Sequence, residues 1–373
     1  MEVGGFVNGG VSATGGRLRL LLGSACVTAL LLGSGTPPAL AACAINIVGN
    51  PAAGAVNNTT NSIDCINIQN STVNGNVANT SPGAIITTSP ALPTGIRIDN
   101  STLTGSVVNA GTITAATGIA EGIVVVNGAF VAGGITNSGS ISGINDILVG
   151  NVGSFGGGIV NSVGGVLNGS DNGIVVGSTI NLHSGGAVSK FTGGITNAGM
   201  IIASSTGIVV NKVSTFTGGI TNSGTITGGP AGIVVAAVGT LAGGITNTGS
   251  IAQSHIGISL SAVTAFSGTL SNSGNITANT GIKISGSTLT GAIIDSGNIL
   301  AFNGILIDSA SKVTVATGTA VAVTGGTFAG GISNAGTLSA PGVGILVDHV
   351  AIFVGGIVNA RRASCRTAAP RPR

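Results

Sequence analysis

Residues 191 to 285 restate one unit four times, and that repetition leaves few folds open. The copies read Phe191-Thr-Gly-Gly-Ile-Thr-Asn197-Ala-Gly199, Phe216-Thr-Gly-Gly-Ile-Thr-Asn222-Ser-Gly224, Leu241-Ala-Gly-Gly-Ile-Thr-Asn247-Thr-Gly249 and Phe266-Ser-Gly-Thr-Leu-Ser-Asn272-Ser-Gly274. Their asparagines are 25 residues apart, and an Ile follows two residues after each last Gly (Ile201, Ile226, Ile251, Ile276). A second short run closes each unit: Gly207-Ile208-Val-Val210, Gly232-Ile233-Val-Val235, Gly257-Ile258-Ser-Leu260 and Gly281-Ile282-Lys-Ile284. A fixed period in this range sets the architecture before any local propensity does.

Within each run, apolar residues alternate with small or polar ones, as in a strand with one face buried. Glycine falls between runs, where the chain must turn. A unit of this length holds about three short strands, too few to bury a face alone. Stacked units bury it when each strand pairs in parallel with its copy about 4.8 Å away. The expected fold is therefore all-β, a parallel β-helix of roughly 25-residue coils. Equivalent residues then form ladders along the axis. One is apolar, from Phe155, Phe191, Phe216, Leu241, Phe266, Leu289, Phe328 and Phe353; the other is made of the asparagines. A buried Asn at a corner bonds neighbouring main chain or amides.

Rival repeat folds fit worse. Propeller blades need about 40 residues and aromatic signatures, and Trp and Tyr are absent. A leucine-rich horseshoe needs a helical half, which Thr-Gly-Ile-Val-Val runs do not favour. Disorder is excluded by a hydrophobic content of 43%, and helical membrane spans by short apolar runs broken by Gly. The net charge of +3 comes from the two ends. Residues 44 to 360 hold five basic residues (Arg97, Lys190, Lys212, Lys283, Lys312) against eight acidic ones. No basic stripe exists for nucleic acid.

In chain order, residues 1 to 42 read as a Gly-rich leader and a secretory signal. Arg17 and Arg19 precede an apolar run from Leu20 to Leu32, and Ala39-Leu-Ala41-Ala42 matches an A-x-A cleavage site. A lone transmembrane anchor is disfavoured because the run is too short. Residues 43 to 72 form a Cys-bounded segment. Cys26 lies in the signal and Cys365 in the tail, which leaves Cys43 and Cys65 to pair in an oxidising compartment. Leu40-Ala41-Ala42-Cys43 also matches a lipoprotein box, and a lipid on Cys43 would preclude that bond; the disulfide is preferred.

The β-helix itself is expected from 73 to 360, eleven or twelve coils in all. The 36-residue step from Asn161 to Asn197 predicts an insertion near 178 to 190, and the 39-residue step from Asp295 to Asn334 predicts another near 309 to 327. Insertions in solenoids map to loops on one face, often the binding face. After Phe353-Val-Gly-Gly-Ile357-Val-Asn359-Ala360 the motif breaks into an atypical Arg-rich tail, 361 to 373, with five Arg in thirteen residues. This reads as a change of reading frame that leaves an open strand edge.

The repeat Gly218-Gly-Ile-Thr-Asn222-Ser-Gly-Thr-Ile226, behind a signal segment and a short Cys-bounded stretch, resembles the passenger domains of Gram-negative autotransporters over residues 43 to 360. The resemblance implies a right-handed β-helix, export to the cell surface or outer membrane, and an adhesin-like role. It also implies a C-terminal β-barrel translocator, of which this sequence shows no strands or aromatic girdles. Without a barrel, a periplasmic location is open.

Candidate chemistry is sparse. His183, His255 and His349 lack metal-ligand spacing. Asp295 and Asp308 are the nearest carboxylate pair in the regular region, yet Asp295 occupies a ladder slot. Gly164 to Asp171 resembles a Ca²⁺ nonapeptide only once and off-register. No catalytic, cofactor or metal residue is assigned and no cofactor is expected. The expected function is non-enzymatic binding of a surface glycan or protein, with no nucleic-acid partner. The alternatives are a β-helical carbohydrate-active enzyme, which would need clustered carboxylates, and a nonfunctional truncated fragment.

Overall fold

A computed structural model describes residues 43–59, 62–87, 94–115, 120–178, 185–360 and the backbone of 364–367. The signal segment, His183 and the remainder of the Arg-rich tail lie outside the described residues.

The described chain is all-β and winds as a parallel β-solenoid. Each coil holds four strand positions rather than the expected three. In one coil they are Val213–Thr217, Ile220–Asn222, Thr225–Thr227 and Ala231–Ala236. Every position pairs in parallel with its copy one coil on: Phe216 with Leu241, Asn222 with Asn247, Ile226 with Ile251, Ile233 with Ile258. The second position forms a 12-stranded sheet, one strand per coil, so there are twelve coils. At about 4.8 Å per rung their axis is roughly 55 Å long. The third and fourth positions share a 23-stranded sheet and fuse into single strands at Asn275–Ser285 and Asn298–Ile307.

The turn between first and second positions explains the Gly-Gly pair. Gly218 and Gly219 have φ of 102° and 73°, a region that L side chains avoid. A Cβ on Gly219 would lie 2.5 Å from the Gly244 carbonyl oxygen of the next coil. The stacking itself excludes a side chain.

Inward residues form unbroken rows. Phe155, Phe191, Phe216, Leu241, Phe266 and Leu289 are fully buried in register, with Phe191 and Phe216 rings stacked at 4.9 Å. Burying each such side chain contributes about 1.5–3 kcal/mol. Beside them runs a polar column. The Nδ2 of Asn58 donates to Oδ1 of Asn79, and so on through Asn109, Asn137, Asn161, Asn197, Asn222, Asn247 and Asn272 to Asp295. These nine hydrogen bonds measure 2.6 to 2.8 Å and all donate in the same direction.

The column ends at Asp295, and here the structure corrects three sequence expectations. The partner of Asp295 on the next coil is Val323, not Asn334. Asn334 sits in the fourth position beside Ile307, and Phe328 sits in the third beside Ile299. Phe328 and Phe353 therefore stack on each other, 5.3 Å apart, in a different row from Phe266 and Leu289, which continues through Val313 and Leu338. The 39-residue step is about one and a half coils, and no comparable insertion lies at 309 to 327. The motif has moved two strand positions around the coil. Every position asks only for an inward apolar residue, so the same motif fits two of them.

The N-terminal boundary also moves. Ile45–Val48 pairs with Ile66–Gln69, and Val56–Asn58 pairs with Val77–Asn79, so the Cys-bounded segment supplies the first coil rather than preceding it. A disulfide joins Cys43 to Cys65 there. At the other end Ser364–Thr367 pairs with Thr337–Ala340, which covers that strand's edge.

Candidate functional site

Outward side chains of the fourth position set one region apart. In four successive coils they are Val124, Leu148, Val175 and Val209, all buried, and with Val126 they form an apolar cluster separate from the core. In later coils the same row reads Val234, Ser259 and Lys283. A strand apolar on both faces reads as a continuous run, such as Ile147-Leu148-Val149 or Ile208-Val209-Val210. Such runs are visible in the sequence.

The fourth position also adjoins the longest stretches of sequence between consecutive strands. Nine residues separate Ala84–Ile86 from Ile96–Asp99, eight separate Thr112–Thr114 from Ile123–Val126, and ten separate Asn172–Gly177 from Val188–Phe191. The last is the insertion expected near 178 to 190. Neighbouring coils make these connections with one to three residues.

Beside the cluster lies a cleft of about 240 Å³ with Val124, Val126 and Leu148 as its floor and Thr94, Arg97, Glu121, Asn127 and Asn151 around it. Its polar groups are held in place. Arg97 donates through Nε (3.2 Å) and Nη2 (2.6 Å) to Oδ2 of the buried Asp99. Asn127 Nδ2 donates to Asp99 Oδ1 at 2.9 Å, and Asn151 Nδ2 donates to Asn127 Oδ1 at 3.0 Å. Asn127 and Asn151 have φ of 56° and 53°, a conformation Asn tolerates better than most residues. On the other side, Glu121 accepts from the Asn145 backbone N–H at 2.8 Å and from its Nδ2 at 3.0 Å. Asn172 Nδ2 continues the chain to Asn145 Oδ1 and to Asp171 Oδ2.

Asp146 belongs to this corner and escaped notice in the sequence. It stands in a register column otherwise made of glycines, Gly122 before it and Gly173, Gly207 and Gly232 after it. The visible signal was Asn145-Asp146-Ile147 where other copies have Gly-Ile. Burial pushes its carboxyl well above the usual carboxylate range, the Gly143 N–H donating to Oδ1 at 3.0 Å partly opposes this, and the charge of Glu121 adds to the rise.

The residues singled out from the sequence do not converge. Asp295 faces the core in the second position. Asp308 caps an exposed corner, accepting from the Ser285 and Ser311 hydroxyls and the Gly286 and Ala310 N–H groups. For Asp308 burial is the largest single influence and raises the carboxyl, but the four donors together outweigh it and hold the group below its ordinary value. His255 meets its neighbour Ser254 at 2.8 Å, and His349 meets Asp348 at 2.9 Å on an exposed turn. Among the described residues no three His, Cys, Asp or Glu side chains are grouped to hold a metal ion. Among them, too, no helix is long and apolar enough to cross a membrane.

No protein-family model, curated protein or solved structure matches this chain. The class that the fold defines is the parallel β-solenoid.

Proposed function

We propose that this is an exported, non-enzymatic binding solenoid of the autotransporter-passenger type, and that it engages a surface glycan through the cleft beside Val124 and Leu148. The observation that carries the reading is the cleft itself, an apolar floor ringed by a guanidinium, a carboxylate and two primary amides on a rigid face. A sugar unit presents a C–H face to such a floor and hydroxyls to such a rim, and few polar groups suffice to orient it. Preformed hydrogen bonds within the rim keep the ordering cost of binding low. Export rests on the signal-like segment at residues 17 to 42 and on the preference for an oxidising compartment.

The test is binding of the mature chain to immobilised neutral and acidic glycans, with a bare protein-coated surface alongside. Asn151→Gly keeps the backbone conformation while removing one amide, and Arg97→Gln removes the charge; each is expected to weaken glycan binding about tenfold. Unchanged binding in both variants, or preference for the protein surface, sinks the glycan reading.

One observation favours the enzymatic alternative: Glu121, Asp146 and Asp171 come from three successive coils at one corner. Each is engaged by this chain's own amides or backbone, and no aromatic side chain is among the described residues that line the cleft. Release of reducing ends from a polysaccharide, abolished by Glu121→Gln, would support that reading.

A further inference from the structure

The end of the asparagine column has a chemistry of its own. Each Asn both accepts and donates along the axis, so the column is polarised, with its donating end towards the C-terminal coils. The last donor, Asn272 Nδ2, meets Asp295 Oδ1 at 2.6 Å. The next rung is Val323, whose side chain accepts nothing. An Asn at 295 would aim an unsatisfied N–H at that valine; a protonated carboxyl accepts from Asn272 through Oδ1 and brings one donor in place of the amide's two, whereas the ionised form is an unpaired buried charge. The closure leaves a buried carboxyl whose Oδ2 has no hydrogen-bond partner. At this same rung the repeat shifts by two strand positions, so the coils beyond share no asparagine column with the coils before. Asn334 starts a separate one, donating to Asn359 at 2.8 Å.

We propose that the Asp295 rung is a proton-operated seam. With its carboxyl protonated the solenoid is continuous from Asn272 to Val323; with it ionised, the coils beyond open independently of those before. Stacked repeats are coupled only to nearest neighbours, so one weak interface divides the stack. The carboxyl is pushed up to about 6 by burial, against the Asn272 amide and the Gly297 N–H. The charged residues of the adjoining coils lie on other sides: Lys283 outward in the fourth position, Lys312 outward in the first, and Asp308 at the corner between. Because the folded value is raised above the ordinary 3.8, the stability it represents is complete below about pH 4 and is lost as pH rises through about 6. The opening constant beyond the seam should grow on the order of 100-fold between pH 4 and pH 8.

Native-state hydrogen exchange read by mass spectrometry tests this on the full chain, with rates corrected for intrinsic pH dependence. Opening of segment 293–347 is expected to increase from pH 4 to pH 8 relative to segment 195–272. The Asp295→Asn variant, which takes no proton, is expected to show no such step. Equal pH dependence of the two segments in the unmodified chain overturns the proposal, and this comparison needs no variant to fold. Persistence of the step in a folded Asp295→Asn chain overturns it as well.

Discussion

Asn222 shows how much one polar side chain does inside this fold. It is fully buried, accepts from Asn197, and donates to Asn247 and to the Gly224 carbonyl. Replacing it with Ala removes its own bonds and strands the Asn197 amide in an apolar interior. We expect Asn222→Ala to cost about 2–4 kcal/mol, measured as the change in denaturant midpoint at constant slope. Ala237 and Ala262 lie at the opposite extreme. Both occupy the left-handed region, with φ of 49° and 52°, at a corner where other coils place Asn, Gly or Lys212. Alanine there carries a steric cost of about 1–2 kcal/mol. Ala262→Gly should therefore stabilise by about 0.5–1 kcal/mol after glycine's extra unfolded-state entropy is allowed for, seen as a higher midpoint. A lower midpoint would mean that this corner is not strained.

At the scale of the element, the strands are only two to six residues long in most positions, and the turns between them decide where each begins. Gly219 is such a point, set by its φ and by the Gly244 oxygen of the adjacent coil. Gly219→Ala is expected to destabilise by more than about 2 kcal/mol, because backbone rather than a movable side chain meets the new Cβ. Gly153 has open space around it and no positive φ. Gly153→Ala should change the midpoint by less than about 0.5 kcal/mol. Much of this level was legible in the sequence: the alternation of Ile and Asn marked the second strand, and Gly-Gly marked the turn before it. The outer apolar row was legible too, as continuous Ile-Val-Val runs, but periodicity alone does not say which face such a run turns outward. Asp146 was harder. A single departure from Gly-Ile in one copy looks like ordinary repeat drift until the register puts it in a column of glycines.

Across the whole molecule, each coil is held by the coils on either side, and the first has only one neighbour. The Cys43–Cys65 disulfide ties the start of that coil to the start of the second, closing a loop of 22 residues' separation. Loop closure of this size contributes about 3 kcal/mol. Replacing both cysteines with Ser is expected to raise exchange of the amides in 45–58 by roughly a hundredfold while leaving 195–272 unchanged. Equal change in both segments would show instead that the stack unfolds as one unit.

The parallel β-solenoid was readable from the repeat alone, because a 25-residue period of short alternating runs buries its apolar face by stacking. The repeat also marked the asparagine column from Asn197 to Asn272 and the insertion after Asn172–Gly177. How the copies are phased around the axis depends on which strands stack on which. A 36-residue step proved to be one coil with a loop, and a 39-residue step proved to be a coil and a half. Nothing local separates the two, since all four strand positions make the same demand for an inward apolar residue. The cleft likewise exists only in three dimensions, because Arg97, Glu121 and Asn151 come from successive coils and are brought together by stacking alone.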